Sequence, residues 1–264
     1  MITHYASVGL PTVSLAGVRQ FYGDRLAFPI ESETPERIVF RPTPHFALAF
    51  TDSYTPTAPA HLAFEVASSA FEEAVSRLKE AGVPPLRWED GSEVDRSETG
   101  RNVYFRDGDG HLLELICHEY VRESVLPACG PFGILYLREA GFPLADMPSF
   151  REWARRVLRM KTAKESDDFT FAIGGTAHAV LVAKTRRWIP IAMAALPPAI
   201  DTVFGVPDGN CLNEAEAALA AEGVPYARSG GEVRFRKDGY DWTLRLTADF
   251  PPDLPARLGL PLSR

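Results

Sequence analysis

The chain repeats itself, and the repeat limits the folds open to it. Gly9-Leu10-Pro11 is matched by Gly141-Phe142-Pro143, Ala81-Gly82-Val83-Pro84 by Glu222-Gly223-Val224-Pro225, and Val103-Tyr104-Phe105-Arg106 by Val233-Arg234-Phe235-Arg236. Three matches in one order argue for internal duplication, which dictates architecture before any local detail does. The repeating unit is smaller than half the chain. It is a strand, a helix and about three strands, used four times over roughly 4–52, 58–118, 133–187 and 198–248.

The apolar pattern names the elements of each unit. Residues 5–12 read as a strand. Leu15, Val18, Phe21, Tyr22 and Leu26 then recur at helical spacing behind Ser14, an N-cap residue. Strands follow at 36–41 and 46–50, punctuated by Pro42, Pro44, Pro56 and Pro59. His61–Val66 is a strand with Leu62, Phe64 and Val66 on one face and His61, Ala63 and Glu65 on the other. Ser69 and Glu72 stand at capping-box spacing before a helix with the stripe Phe71, Ala74, Val75 and Leu78, and Gly82 suits its C-terminal stop. Residues 102–117 form a hairpin turning on Asp107-Gly108-Asp109-Gly110.

Periodicity lapses over 121–131, which marks a domain boundary. Beyond it come a strand at 136–140, a helix with Ser149 and Glu152 as a second capping box, strands at 169–173, 179–183 and 202–206, a helix through Leu212, Ala215 and Leu219, and a closing hairpin, 232–236 with 242–246. The expected division is a domain at 1–120, a second at 132–250, and a proline-rich surface tail at 251–264.

Composition narrows the function classes. The net charge is −7 with no basic run, so nucleic acid is not an expected partner. No apolar run reaches the length of a membrane span, and the N-terminal residues lack the basic and apolar segments of a signal peptide. Cys117, Cys129 and Cys211 are odd in number and widely spaced. They suggest neither a disulfide framework nor a zinc knuckle, and a reducing cytoplasm is the expected compartment.

One residue breaks the apolar pattern of the 102–117 hairpin. Glu114 stands between Leu113 and Leu115 and shares its face with Leu112 and Ile116. A carboxylate there is costly to bury unless a cation or strong donor meets it, and Tyr104 and Arg106 across the hairpin are candidate donors. Ser14, Ser69 and Ser149 read as helix caps rather than nucleophiles, since spacing places no histidine or acid beside them. The Gly108-Asp109-Gly110 stretch is a turn and not a phosphate cradle, because no helix starts there.

Residues 14–28 (SLAGVRQFYGDRLAF), 61–66 (HLAFEV) and 103–115 (VYFRDGDGHLLEL) resemble the vicinal oxygen chelate superfamily, which includes glyoxalase I, the fosfomycin and bleomycin resistance proteins and the extradiol dioxygenases. The resemblance is strong over 7–118 and weaker over 133–248. It implies an α+β fold of four βαβββ modules paired into two half-barrel, glyoxalase-like domains. It also implies a pocket in which a divalent ion, Fe, Mn, Ni or Zn, is chelated by adjacent oxygens of a small molecule.

Carried over residue by residue, the resemblance makes His61 and Glu114 metal ligands. The first-strand ligand position falls on Ser7, with His4 three residues earlier and on the other face of a regular strand. His4 is the candidate for completing the set, and Ser7 and Tyr104 are candidate substrate contacts. The position near Leu48, where glyoxalases carry a carboxylate, is apolar. In the second half, Asp201 or Thr202 and Leu244 or Arg245 fall at the ligand positions, so that pocket is expected to hold no metal. His45, His118 and His178 carry no placement argument.

Two functions are therefore expected alternatives. One is a metal-dependent oxygenase or lyase. The other is a metal-free small-molecule binding protein of the bleomycin-resistance type. The four modules on one chain imply that a monomer can build both half-barrels, with any homodimer adding nothing to the pocket.

Overall fold

A computed structural model describes residues 2–262, so the last two residues of the 251–264 tail lie outside it. The first unit is β1 (His4–Thr12), α1 (Leu15–Val18) continued by a π-helical stretch over Arg19–Arg25, β2 (Ile30–Thr34), β3 (Arg37–Thr43) and β4 (Phe46–Asp52). The second is β5 (His61–Val66), α2 (Phe71–Glu80), β6 (Val94–Arg96), β7 (Gly100–Arg106) and β8 (Leu112–His118). The third is β9 (Ile134–Leu144), α3 (Met147–Val157), β10 (Lys161–Ala163), β11 (Phe169–Gly174) and β12 (Ala177–Ala183). A small separate hairpin follows, β13 (Arg187–Trp188) and β14 (Met193–Ala194). The fourth unit is β15 (Asp201–Val206), α4 (Gly209–Ala221), β16 (Tyr226–Ser229), β17 (Glu232–Lys237) and β18 (Tyr240–Leu246), and α5 (Leu254–Arg257) lies in the tail.

The α+β fold of four βαβββ units is as the sequence implies, with two eight-stranded sheets. The pairing of units crosses the sequence boundary at 121–131. One sheet runs β16-β17-β18-β15-β1-β4-β3-β2 and joins the first unit to the fourth. The other runs β10-β11-β12-β9-β5-β8-β7-β6 and joins the second to the third. In each sheet the first strands of two units meet antiparallel at the centre, β1 with β15 and β5 with β9. The links between sheets, 53–60 and 184–200, run side by side, and the Ala199 amide donates to Thr57 Oγ1 at 2.8 Å.

The two sheets share one core. Phe64 of β5 meets Phe46 of β4 at 6.2 Å between ring centroids, and Phe142 of β9 meets Trp242 of β18 at 4.7 Å. The helix stripes expected at Phe71, Ala74, Val75 and Leu78 and at Phe150, Trp153 and Val157 are buried in it. β5 is buried on both faces, since Leu62, Phe64 and Val66 enter this core while His61, Ala63 and Glu65 lie on the opposite face. That opposite face is covered by the β13–β14 hairpin and by the C-terminal segment.

Three local readings are corrected. Ser14 does cap its helix, accepting from Gly17 N at 3.0 Å. Ser69 does not, because its amide and hydroxyl both go to Glu123, at 2.7 and 2.6 Å, and a 3-10 turn over Ser68–Ala70 precedes α2 instead. The cap of α3 is Asp146, which accepts from Ser149 N at 3.1 Å, with Pro148 in the first turn where a missing N–H costs nothing. The tail is not a surface strap either. Phe250, Leu254, Leu258 and Leu260 are buried against Val121, Leu135 and Tyr136. Among the described residues no helix is long and apolar enough to cross a membrane.

The buried tail makes a direct prediction. Leu258→Ala should cost about 2–5 kcal/mol of unfolding free energy, the range for an emptied leucine site, rather than the half-kcal/mol scale of surface changes. Denaturant unfolding of the full chain checks it.

Candidate metal centre

His61 and Glu114 converge, and a third side chain able to ligate, Glu139, joins them that the sequence reading did not flag. His61 Nε2 lies 3.6 Å from Glu114 Oε2 and 3.9 Å from Glu139 Oε2. Their donor atoms all fall within 4.8 Å of one another. All three residues are buried, at 5%, 2% and 6% exposure. β5 is the central strand of this set, with β8 parallel on one side and β9 antiparallel on the other. In register, Ala63 lies between Glu114 and Glu139, and its methyl leaves room for both carboxylates.

A β-bulge aims Glu139. The register passes from Ala63–Glu139 to Phe64–Leu137, which leaves Arg138 as the extra residue. Bulges re-aim side chains in this way, and Arg138 Nε comes within 3.6 Å of Glu139 Oε1. The other guanidinium nitrogens are engaged away from the site. Nη1 donates to Glu65 Oε2 at 3.1 Å, and Nη2 donates to the Tyr120 hydroxyl at 2.7 Å. Glu65 in turn accepts from the amide of His118 at 3.0 Å. Nε has no hydrogen-bond partner.

The electrostatics follow from dryness. Burial holds the Glu114 carboxyl well above the ordinary carboxylate range, and the charge of Glu139 pushes it further, against a hydrogen bond from Tyr104 and the charge of Arg138. Tyr104, paired with Glu114 across β7–β8, has its phenol pushed up by burial and by the two glutamates, so it stays a donor. His61 Nδ1 faces the Leu112 carbonyl at 3.2 Å. That contact assigns the proton to Nδ1 and leaves the Nε2 lone pair directed at the carboxylates, as metal-ligating histidines require.

His4 and Ser7 are not brought to this place. Both sit on β1, in the other sheet. β1 does bulge, between Tyr5 and Ser7 against β15, but His4 is turned into a separate cluster. Its ring stacks on Phe250 at 3.8 Å, and Thr3 Oγ1 lies 2.9 Å from its Nδ1. His178, which spacing left without a role, stands beside Glu139 in register on β12. Burial, with the charges of Arg138 and His118, keeps its ring neutral.

The signal for Glu139 was present in the repeat. Ser7 stands two residues before Gly9, and Glu139 stands two residues before the matching Gly141. The β5–β9 pairing thus brings the equivalent position of the third unit alongside His61 and Glu114.

A second group, Asp107, Asp109 and His111, also clusters. Its members have other partners. Tyr22 donates to Asp107 at 2.8 Å, Thr12 donates to Asp109 at 2.7 Å, and His111 Nδ1 accepts the Ala60 amide at 2.9 Å. The neutral His111 ring then carries its proton on Nε2 and has no lone pair to offer. These contacts bind the β7–β8 turn to the first unit, so the turn is structural, as its sequence suggested.

With the geometry in place, the comparisons can be read. The profile of the Glyoxalase/Bleomycin resistance protein/Dioxygenase superfamily matches residues 2–115. Residues 2–115 are thus similar to that superfamily. The metallothiol transferase FosB of Shouchella clausii (strain KSM-K16) is 40% identical over 55 residues, which is 21% of this chain and 36% of that protein. The chain thus spans about a third of the length of this curated relative. Among solved structures, a protein provisionally described as a dioxygenase from Bacillus subtilis subsp. subtilis str. 168 superposes with a TM-score of 0.68 at 14% identity, covering 99% of this chain and 92% of its own. A glyoxalase I mutant from Zea mays gives a TM-score of 0.60 at 14% identity, with 94% and 95% covered. At such identities these likenesses show a shared fold and nothing finer.

The separation of His4 from the site has a measurable consequence. Burial and the neighbouring His45 lower its pKa from 6.5 to about 3, against the charge of Asp249. The unfolded chain therefore binds a proton that the folded chain refuses between those values. Stability from this residue is complete above pH 6.5 and falls as pH drops towards 3, with a limiting slope of about 1.4 kcal/mol per pH unit. His4→Gln should flatten the acid limb of a stability-against-pH curve by up to one proton.

Proposed function

We propose that this chain is a metal-dependent enzyme of its superfamily, with His61, Glu114 and Glu139 as the ligands of one divalent ion. The observation that carries the reading is the donor set itself. One imidazole lone pair, fixed by the Leu112 carbonyl, faces two buried carboxylates. Ligand atoms that share an ion at about 2.1 Å stand about 3–3.5 Å apart, close to the separations from His61. Two carboxylates in a dry space also lack a cation of their own, since Arg138 divides its charge with Glu65. The residues present fit a metal.

When bound, the ion would supply Lewis acidity to adjacent oxygens of a small molecule. The chain's own residues have separate tasks. The Leu112 carbonyl orients His61, Tyr104 donates towards Glu114, and Arg138 steadies Glu139 from its far side. One histidine with two glutamates departs from the two-histidine, one-carboxylate set of non-haem iron oxygenases. It favours lyase or isomerase chemistry, in which a proton is moved on the chelated molecule, over oxygen activation. All three ligands come from one chain, so a monomer suffices for the site.

Titration calorimetry with Mn(II), Fe(II), Ni(II) and Zn(II) on protein purified without a histidine tag tests the reading. Glu114→Gln and Glu139→Gln should each weaken the bound ion by at least about 100-fold, beyond the 10–100-fold typical of a lost supporting contact, whereas Tyr104→Phe should fall within that range. His4→Gln should leave metal affinity unchanged. A chain that binds none of the four ions would instead be a metal-free binding protein.

A further inference from the structure

The space beside His61 is filled by the protein itself. The indole of Trp188 lies 5.0 Å from the His61 ring, centroid to centroid, tilted by 37°. It also packs directly on Gly141 of β9. A Cβ at that glycine would come within 2.7 Å of Trp188 Cη2 and 2.9 Å of Cζ2, so no other residue fits beneath the seated ring. Around it stand Tyr104, Leu112, Val180, Val182 and Ala195. Two clefts that flank the Asp107–Asp109 turn are lined by other residues than His61, Glu114 and Glu139.

We propose that Trp188 is a displaceable plug of the metal site, and that the hairpin carrying it is the gate through which a chelating molecule enters. The inference rests on the metal-centre reading above. The hairpin is built to move separately. β13 and β14 are two residues each and pair only with each other as a two-stranded sheet. Two-stranded ribbons of this kind have little stability of their own. Besides packing, the hairpin is held to the sheet by Arg106 Nη2, which donates to Met193 Sδ at 3.0 Å. Ile189 beside the plug is about half exposed, at 48%.

The seated ring is also incompletely satisfied. Trp188 Nε1 is buried and has no hydrogen-bond partner among the described residues. A buried donor without an acceptor favours any state in which it reaches water or a ligand oxygen. Nε1 and Cζ2 are bonded to the same ring carbon, so the unpaired N–H is on the edge of the indole that faces Gly141. Displacement by a molecule with adjacent oxygens would free the flank of His61 and give this N–H an acceptor.

The test uses the full chain labelled with 5-fluorotryptophan, whose four fluorine signals are assigned with Trp188→Phe. Mn(II) should broaden the Trp188 signal more than those of Trp153 and Trp242. Saturating acetohydroxamate, a small bidentate oxygen chelator, should then move that signal to a solvent-sensitive position. In Trp188→Ala loaded with Mn(II), hydroxamate should associate about tenfold faster or more, the factor by which a minor open state limits entry. An unmoved fluorine signal with hydroxamate bound, or equal association rates, overturns the plug. If Mn(II) does not bind at all, the metal reading fails, and the gate is judged on the unmodified chain by hydrogen exchange. Amides over 187–194 should then exchange about 100-fold faster than those of β9 and β12. Equal protection would refute the gate whatever the metal result.

Discussion

Two carboxylates share one dry space, and the surrounding structure answers to that constraint. Glu114 and Glu139 present oxygens within 4.8 Å of each other in a volume with almost no access to water. At an effective dielectric of 20, two full charges at that distance repel by about 3–4 kcal/mol, before any cost of desolvation. Such a pair can stay charged only beside a cation. Arg138 is the nearest, and its charge is divided between Glu139 and Glu65. Burial and the charge of Glu139 therefore push the Glu114 carboxyl well above the ordinary carboxylate range.

The sheet pairing is what allows three such residues to meet. β5 lies between a parallel neighbour from its own unit and an antiparallel neighbour from the third unit. Side chains directly across these ladders point the same way, so Tyr104, Glu114, Ala63, Glu139 and His178 form one transverse row. Ala63 is the small residue in the middle of that row. The bulge at Arg138 then adds a cation beside the row without displacing Glu139 from it.

Much of this was legible in the sequence, and the illegible part has a common cause. Periodicity and the repeat gave the four units, the span of β5 and the 102–117 hairpin, and the family resemblance of short local motifs singled out His61 and Glu114. Those are properties of residues near one another in the chain. Glu139 escaped because its partner strand is set by which units pair, and the local pattern of ILYLREAGFPL says nothing about that choice. Trp188 escaped for a similar reason, since a lone aromatic residue in a proline-punctuated link carries no period. The tail misled because proline spacing was read as exposure, whereas Leu254, Leu258 and Leu260 supply an apolar face within it. His4 misled because it was judged by its distance along β1, and the strand it would have needed to join belongs to the other sheet.

The two sheets offer a control within one molecule. Both bring the first strands of two units together at the centre, and both have a glycine there with a ring packed on it. In one, Gly141 lies beneath Trp188. In the other, Gly205 lies beneath His4, which is itself sealed by Phe250 stacked on its far face. The difference is what surrounds the ring. The His4 site has Asp249 largely in solvent, and its ring gains by staying neutral in an apolar stack. The Trp188 site has two buried carboxylates beside one guanidinium that is shared with Glu65. A filled cavity with balanced surroundings is packing, and its occupant has no reason to leave. A filled cavity beside unbalanced charge is a site in which the occupant competes with a better partner. By that criterion the proposed metal centre falls to the sheet of the second and third units, and the His4 cluster of the other sheet is packing.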